Sequence, residues 1–168
     1  MRLAFVTTRY PPRTGGVEAH VAALATRFAA RGHEVVVHTA DAGPDVGSQV
    51  REGVRVHRHR GAAPGGAFHV APGVVPAVAR TDADLVHAHN YHSLPLVFAA
   101  LAVSLPRDGP PLVATPHYHG GSASPLRDRL LSAYRPVGRW ALRRSDAVLA
   151  VSRWERDRLR SDLGVESR

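Results

Sequence analysis

Arg2-Leu3-Ala4-Phe5-Val6-Thr7-Thr8-Arg9-Tyr10-Pro11-Pro12-Arg13-Thr14-Gly15-Gly16-Val17-Glu18 is the stretch that decides how the rest of the chain is read. Leu3 to Val6 is an apolar run of the length of a buried strand. Pro11-Pro12 lacks two amide donors and ends any ladder. Gly15-Gly16 follows, and helical spacing begins at once. A strand, a glycine-containing loop and a helix start open a nucleotide-type α/β domain: glycine lets a ligand reach the backbone, and free amides at a helix N-terminus favour an anion. A plain β-to-α connection, in which the glycines only make the turn, fits the same residues. The spacing is neither G-x-G-x-x-G nor a Walker loop.

Outward from this stretch, strands and helices alternate. Val17, His20, Val21, Leu24, Ala25 and Phe28 give helix one an apolar face from Gly16 to Arg31, with Gly32 placed to end it. Val35-Val36-Val37 reads as a strand buried on both faces. Val50 to His59 alternates and reads as one half-exposed, edge-like strand, followed by a Gly/Ala/Pro loop over Gly61 to Gly66. A weak helix is expected over Phe68 to Arg80, interrupted by Pro72 and Pro76. Asp84 to His89 is a strand, Ser93 to Ser104 a buried helix with Pro95 in its first turn, and Pro111 to Thr115 a strand. Leu126 to Arg144 is helical with a break at Pro136. Ala147 to Val151 is the last strand, and Ser152 with Glu155 forms a capping box for a final helix ending near Gly164. This alternation means βαβ units and a mostly parallel sheet covered on both faces. Ligands bind such sheets at the carboxyl ends of their strands, where Thr7, Thr8, Thr39, His87, His89, Asn90, Thr115, His117 and Ser152 are expected to gather.

The 168 residues suit one domain, 44% are hydrophobic, and no apolar run approaches a membrane span. The N-terminus enters a strand directly, so no signal peptide is expected. Cysteine is absent, which excludes disulfides and thiolate metal sites and fits a reducing cytoplasm. The net charge of +8 suggests nucleic acid, but all 22 basic residues are arginine, isoleucine is missing, and Asn90 is the single asparagine. That pattern points to a GC-rich genome, so codon bias accounts for part of the charge. The rest favours phosphorylated ligands or an anionic membrane surface.

His87-Ala88-His89 and His117-Tyr118-His119 are H-x-H pairs whose members share a strand face and can ligate a metal. No carboxylate cluster accompanies them. The alternative is that one histidine of each pair packs in the sheet while the other faces the crevice. His57-Arg58-His59 is expected to meet solvent. Arg127, Arg129, Arg135, Arg139, Arg143 and Arg144, interspersed with Leu126, Leu130, Leu131, Tyr134 and Trp140, read as a solvated helix face or as a peripheral contact with an anionic membrane.

Five motifs occur in register: Thr14-Gly15-Gly16-Val17-Glu18, Arg31-Gly32-His33-Glu34-Val35, Asp84-Leu85-Val86-His87-Ala88-His89-Asn90, Thr115-Pro116-His117, and Ser145-Asp146-Ala147-Val148-Leu149-Ala150-Val151-Ser152. Over essentially the whole chain the sequence resembles the N-terminal domain of retaining, GT-B fold glycosyltransferases of family 4, among them bacterial mannosyl- and N-acetylglucosaminyltransferases. The resemblance implies an α/β, Rossmann-like three-layer sandwich over residues 1–168, one half of a GT-B fold. It implies a nucleotide-sugar donor, a hydroxyl acceptor, no cofactor and no metal. Gly15 and Gly16 would meet the donor diphosphate, His117 would contact the donor sugar beside the reacting carbon, and Tyr10, His89, Asn90, Tyr91 and Tyr118 would line the acceptor side. It also implies a donor-binding C-terminal domain beyond Arg168, without which the chain would be inactive, and a cytoplasmic or inner-membrane-peripheral location. A standalone module for a sugar or phosphorylated ligand, an H-x-H metal-dependent hydrolase and an arginine-based nucleic-acid binder are the competing readings.

Overall fold

The computed structural model describes residues 1–40, 46–64, 68–120 and 125–168, with the side chains of 125–130 excepted. Part of the loop expected over Gly61 to Gly66, and the side chains of Leu126, Arg127, Arg129 and Leu130, lie outside these. The elements are β1 (Arg2–Thr7), α1 (Gly16–Ala30), β2 (Glu34–Thr39), β3 (Gly47–Arg51), β4 (Val54–Arg58), α2 (Val74–Ala79), β5 (Leu85–His89), α3 (Leu94–Ser104), β6 (Leu112–Thr115), α4 (Pro125–Arg144), β7 (Ala147–Val148) and α5 (Arg153–Arg158). A π-helical turn, Leu159–Leu163, continues α5 and ends at left-handed Gly164 (φ 60°, ψ 42°).

One sheet runs β3-β4-β2-β1-β5-β6-β7, parallel except for β3. β1 lies between β2 and β5, and successive residues of each strand face opposite sides. Leu3, Phe5, Val35, Val37, Val54 and Val56 form one buried cluster with Val21 and Ala25 of α1. Ala4, Val6, Val86, Ala88, Leu112 and Ala114 form the other, with α3. Alanines on both the sheet and α3 let helix and sheet approach closely, and α3 is buried on almost every side, as its all-round apolarity requires. Both faces of the parallel core are thus covered, the arrangement such strands need.

Four elements differ from the sequence expectation. Val50 to His59 is a hairpin rather than one strand, because Glu52 and Gly53 both take positive φ (51° and 77°) and make a two-residue turn. The outer edge is therefore β3, exposed throughout. The helix over 68–80 shrinks to Val74–Ala79, where Pro76 falls in the first turn and costs no intrahelical bond. α4 runs unbroken through Pro136. Both Pro136 and Ser132, whose carbonyl loses its partner, are exposed, so water can serve that carbonyl. The last strand pairs over only two residues.

Gly138 sets how closely α4 can approach the core. A Cβ there would lie 2.6 Å from Cε2 of Tyr91 and 2.7 Å from Cε1 of Tyr134, both buried rings. Gly138→Ala is expected to lower stability by about 1–3 kcal/mol through overpacking, despite alanine's better helix propensity. Urea unfolding measures this, and an unchanged midpoint would show that the tyrosines relax freely.

Candidate functional site

The sheet order reverses between β1 and β5, so their carboxyl ends open a crevice. Asn90 bridges it: its Nδ2 donates to Thr8 Oγ1 at 3.1 Å, and its Oδ1 accepts from the His92 amide at 3.1 Å. Asn90 sits at φ 72°, a conformation asparagine tolerates. His117 sits at φ 50°, where a histidine is strained, and such strain concentrates at functional positions.

α1 enters the same crevice. Gly15, its N-cap, is extended (φ 165°, ψ 166°), and a Cβ on it would collide with the Glu18 carboxylate folded back beside it. Beside Gly16 there is open space, so its backbone can be approached. One turn on, His20 points inward: its ring lies 5.2 Å from that of His117 and 5.8 Å from that of His89. His89 Nδ1 and His117 Nε2 are 3.3 Å apart. Beneath them His87 lies tilted against His89, ring centres 4.2 Å apart, and shares a 2.8 Å hydrogen bond with Thr115 Oγ1, and Phe5 packs on both rings.

The H-x-H pairs therefore behave differently. His87 and His89 are both buried, correcting the expectation that one of them faces the crevice. The second pair does split, with His117 half-buried and His119 exposed. Burial, then the neighbouring imidazoles His20 and His117, lower the His87 pKa to about 4, and burial, then His20, lowers that of His117 to about 4. His89, the most buried, is held well below the ordinary range. All three are neutral at pH 7.

Of the residues expected on the acceptor side, Asn90, Tyr91 and Tyr118 come together. Tyr91 stands edge-on to Tyr118 at 5.1 Å and to Tyr134 at 5.3 Å. Tyr91 and Tyr118, with His92, Ser132 and Arg135, line a pocket of about 210 Å³. Burial, then the Tyr118 phenol, raises the Tyr91 pKa to about 12. Tyr10 goes elsewhere: it is buried on the α1 face of the sheet, while Tyr91 belongs to the cluster on the opposite face. A larger groove of about 490 Å³ lies at the amino ends of β1 and β2, away from the crevice. His57-Arg58-His59 is not a solvent-facing run, since Arg58 is 5% exposed and donates to the Pro11 carbonyl, and His59 Nε2 lies 3.0 Å from His38 Nδ1.

Two residues of consequence escaped the sequence reading. Helical spacing places His20 with the apolar face of its helix, and only the fold brings it to His117. The S-x-x-E spacing reads Glu155 as half of a capping box. Ser152 Oγ does accept from the Glu155 amide at 3.1 Å. The Glu155 carboxylate, 2% exposed, instead accepts from the Val151 amide (2.7 Å) and from the Tyr118 amide (2.6 Å). It ties the loop carrying His117 and Tyr118 to the start of α5. Tyr118 is held again through its hydroxyl, which donates to Asp162 at 3.1 Å, and Asp162 pairs with Arg158 at 3.2 Å.

The sequence profile of Glycosyltransferase Family 4 matches residues 14–168. No curated protein matches. Among solved structures, sucrose-phosphate synthase from Thermosynechococcus elongatus superposes with a TM-score of 0.72 at 18% identity, over 99% of this chain and 47% of that one. A second sucrose-phosphate synthase structure from the same organism gives 0.64 at 16% identity, over 99% of this chain and 85% of that one. The chain thus spans about half the length of the first, and the likeness shows the fold. Among the described residues no helix is long and apolar enough to cross a membrane.

Two outcomes follow from the geometry. His87 and His117 have folded pKa values near 4 against about 6.5 unfolded. Their contribution to stability is complete above pH 6.5 and is lost as pH falls from 6.5 to 4, where only the unfolded chain binds the protons. The urea midpoint should fall across that window, while the imidazole NMR signals of His87 and His117 stay flat from pH 8 to about 5. Glu155→Gln turns an amide NH2 toward one of two buried donors and should cost about 1–3 kcal/mol while shifting the His117 signals. Ser152→Ala, which removes only the cap, should cost about 1 kcal/mol and leave them in place. Equal effects would deny Glu155 its hold on the loop.

Proposed function

The chain belongs to glycosyltransferase family 4, and we propose that it supplies the acceptor-side half of a retaining transferase that moves a hexosyl unit, mannose or N-acetylglucosamine, from a nucleoside diphosphate to an acceptor hydroxyl. The observation that supports this best is the convergence of two features on one crevice: a helix N-terminus with open space at Gly16, and a strained, neutral His117 against the next turn of the same helix. The amides at Gly15 and Gly16 suit a diphosphate, because the helix terminus carries partial positive charge. His117, unprotonated, suits hydrogen bonding to a sugar hydroxyl.

In this proposal the acceptor lies between Asn90 and the pocket formed by Tyr91, Tyr118 and Arg135. Its hydroxyl attacks the anomeric carbon on the face from which the diphosphate leaves. The new carbon–oxygen bond forms as the carbon–oxygen bond to phosphate breaks, and the hydroxyl proton passes to the leaving phosphate oxygen. The chain's contribution is positional and electrostatic, directed at the departing charge, and this step calls for no metal or cofactor. A C-terminal domain holding most of the nucleotide completes the enzyme, so the 168 residues alone are inactive. The location is cytoplasmic, and exposed Val137, Trp140, Arg139 and Arg143 on α4 give the domain a face suited to peripheral contact with an anionic inner membrane.

The test is release of nucleoside diphosphate from a panel of sugar nucleotides by the polypeptide extended with its C-terminal domain. His117→Ala should lower kcat by about 100-fold or more with the fold intact by circular dichroism. Turnover by the 168-residue chain alone, or an unchanged rate in His117→Ala, would overturn the assignment.

A further inference from the structure

We propose that the His20, His89 and His117 imidazoles form a binding site for a divalent transition-metal ion of the zinc class. One nitrogen from each lies within 4.8 Å of the other two. The ring centres form a near-equilateral triangle with sides of 5.2, 5.6 and 5.8 Å. Three imidazoles radiating from one tetrahedral ion at about 2.0–2.1 Å would place their nitrogens about 3.3 Å apart and their ring centres about 5 Å apart. The His89 Nδ1 to His117 Nε2 distance of 3.3 Å already meets that spacing, and the His20 nitrogen, within 4.8 Å of both, has to draw closer to complete the other two sides.

A hydrogen bond between two neutral imidazoles explains one side of the triangle. It does not explain His20, which among the described residues makes ring contacts with the other two and no hydrogen bond. Three features suit a ligand set. The residues come from three separate elements, α1, β5 and the loop after β6, so the backbone fixes their spacing. His89 is fully buried and backed by Phe5, which limits its rotation. His20 and His117 are only half-buried, leaving the crevice side open for a fourth ligand, as in three-histidine sites. The other nitrogen of His89 is buried without an acceptor among the described residues. Ligating histidines ordinarily use that nitrogen to fix ring and tautomer, so affinity is below that of a site with a full outer shell.

On the transferase reading, an ion here would hold His117 away from the donor sugar, so occupancy and transfer would exclude each other. The metal site does not rest on that reading, and its test uses no sugar nucleotide, so either can fail without the other. Purified protein is titrated with Co²⁺ at pH 7.5 and followed by visible absorption. The expected result is one equivalent bound, with the intense d–d bands of tetrahedral cobalt, displaced by equimolar Zn²⁺. His20→Ala should weaken Co²⁺ by more than about 100-fold, beyond what loss of an outer partner costs, while His119→Ala leaves the bands unchanged. Absence of tetrahedral bands in the unsubstituted protein, or bands undiminished in His20→Ala, would overturn the site. The first outcome requires no variant to fold.

Discussion

Parallel pairing of β1 with both β2 and β5 is the constraint on which the rest of the molecule depends. A parallel sheet has to be covered on both faces, which demands two apolar clusters and sends the chain back across the sheet after each strand. It also turns the carboxyl ends of the parallel strands toward one rim. Residues at or just past the carboxyl ends of the strands, such as Thr8, Asn90 and Thr115, then become neighbours although they lie far apart in sequence. The crevice follows from strand direction, and side chains only decide what it can bind.

Those side chains are polar groups placed where water is scarce, and the molecule handles them in two ways. The histidines under the crevice give up their charge: burial favours the neutral form, and a hydrogen bond to Thr115 or to another imidazole satisfies part of what remains. Glu155 instead finds two backbone amides from two different loops. Removing either donor would leave a buried acceptor short of a partner, so the loops are tied to one another rather than merely adjacent. The strained backbone at His117 can persist because such ties over-determine its loop.

Much of this was legible in the sequence, for specific reasons. Val35-Val36-Val37 and Leu3 to Val6 declare buried strands because residues covered on both faces carry no polar alternation. Gly32 and Gly164 take left-handed φ at helix ends, where glycine is cheapest. The β3–β4 turn was missed because Glu52 supplies a positive φ that composition does not announce. His20 was missed because a helix periodicity reports which face is inward and says nothing of what waits there. Glu155 shows the same limit: the S-x-x-E spacing is real, and Ser152 does cap, but the carboxylate had a better partner in a loop 37 residues away. Tyr10 and Tyr91 both flank strand ends, and only the sheet decides that they lie on opposite faces.

At the start of α1, the proposed function draws on the same resource as folding. A carboxylate in the first turn is stabilised by the helix terminus by about 0.3–1 kcal/mol at an exposed position, and Glu18 lies back beside Gly15 accordingly. The same partial charge attracts a phosphate, and the two anions cannot share it. A dianion with several acceptor oxygens gains more from those amides than one flexible carboxylate does, and Glu18 is a long side chain that can turn to solvent. On the proposed donor-binding reading, the acid that helps the helix begin is held weakly enough to give way, and the small magnitude of its stabilisation would let one helix end serve both purposes.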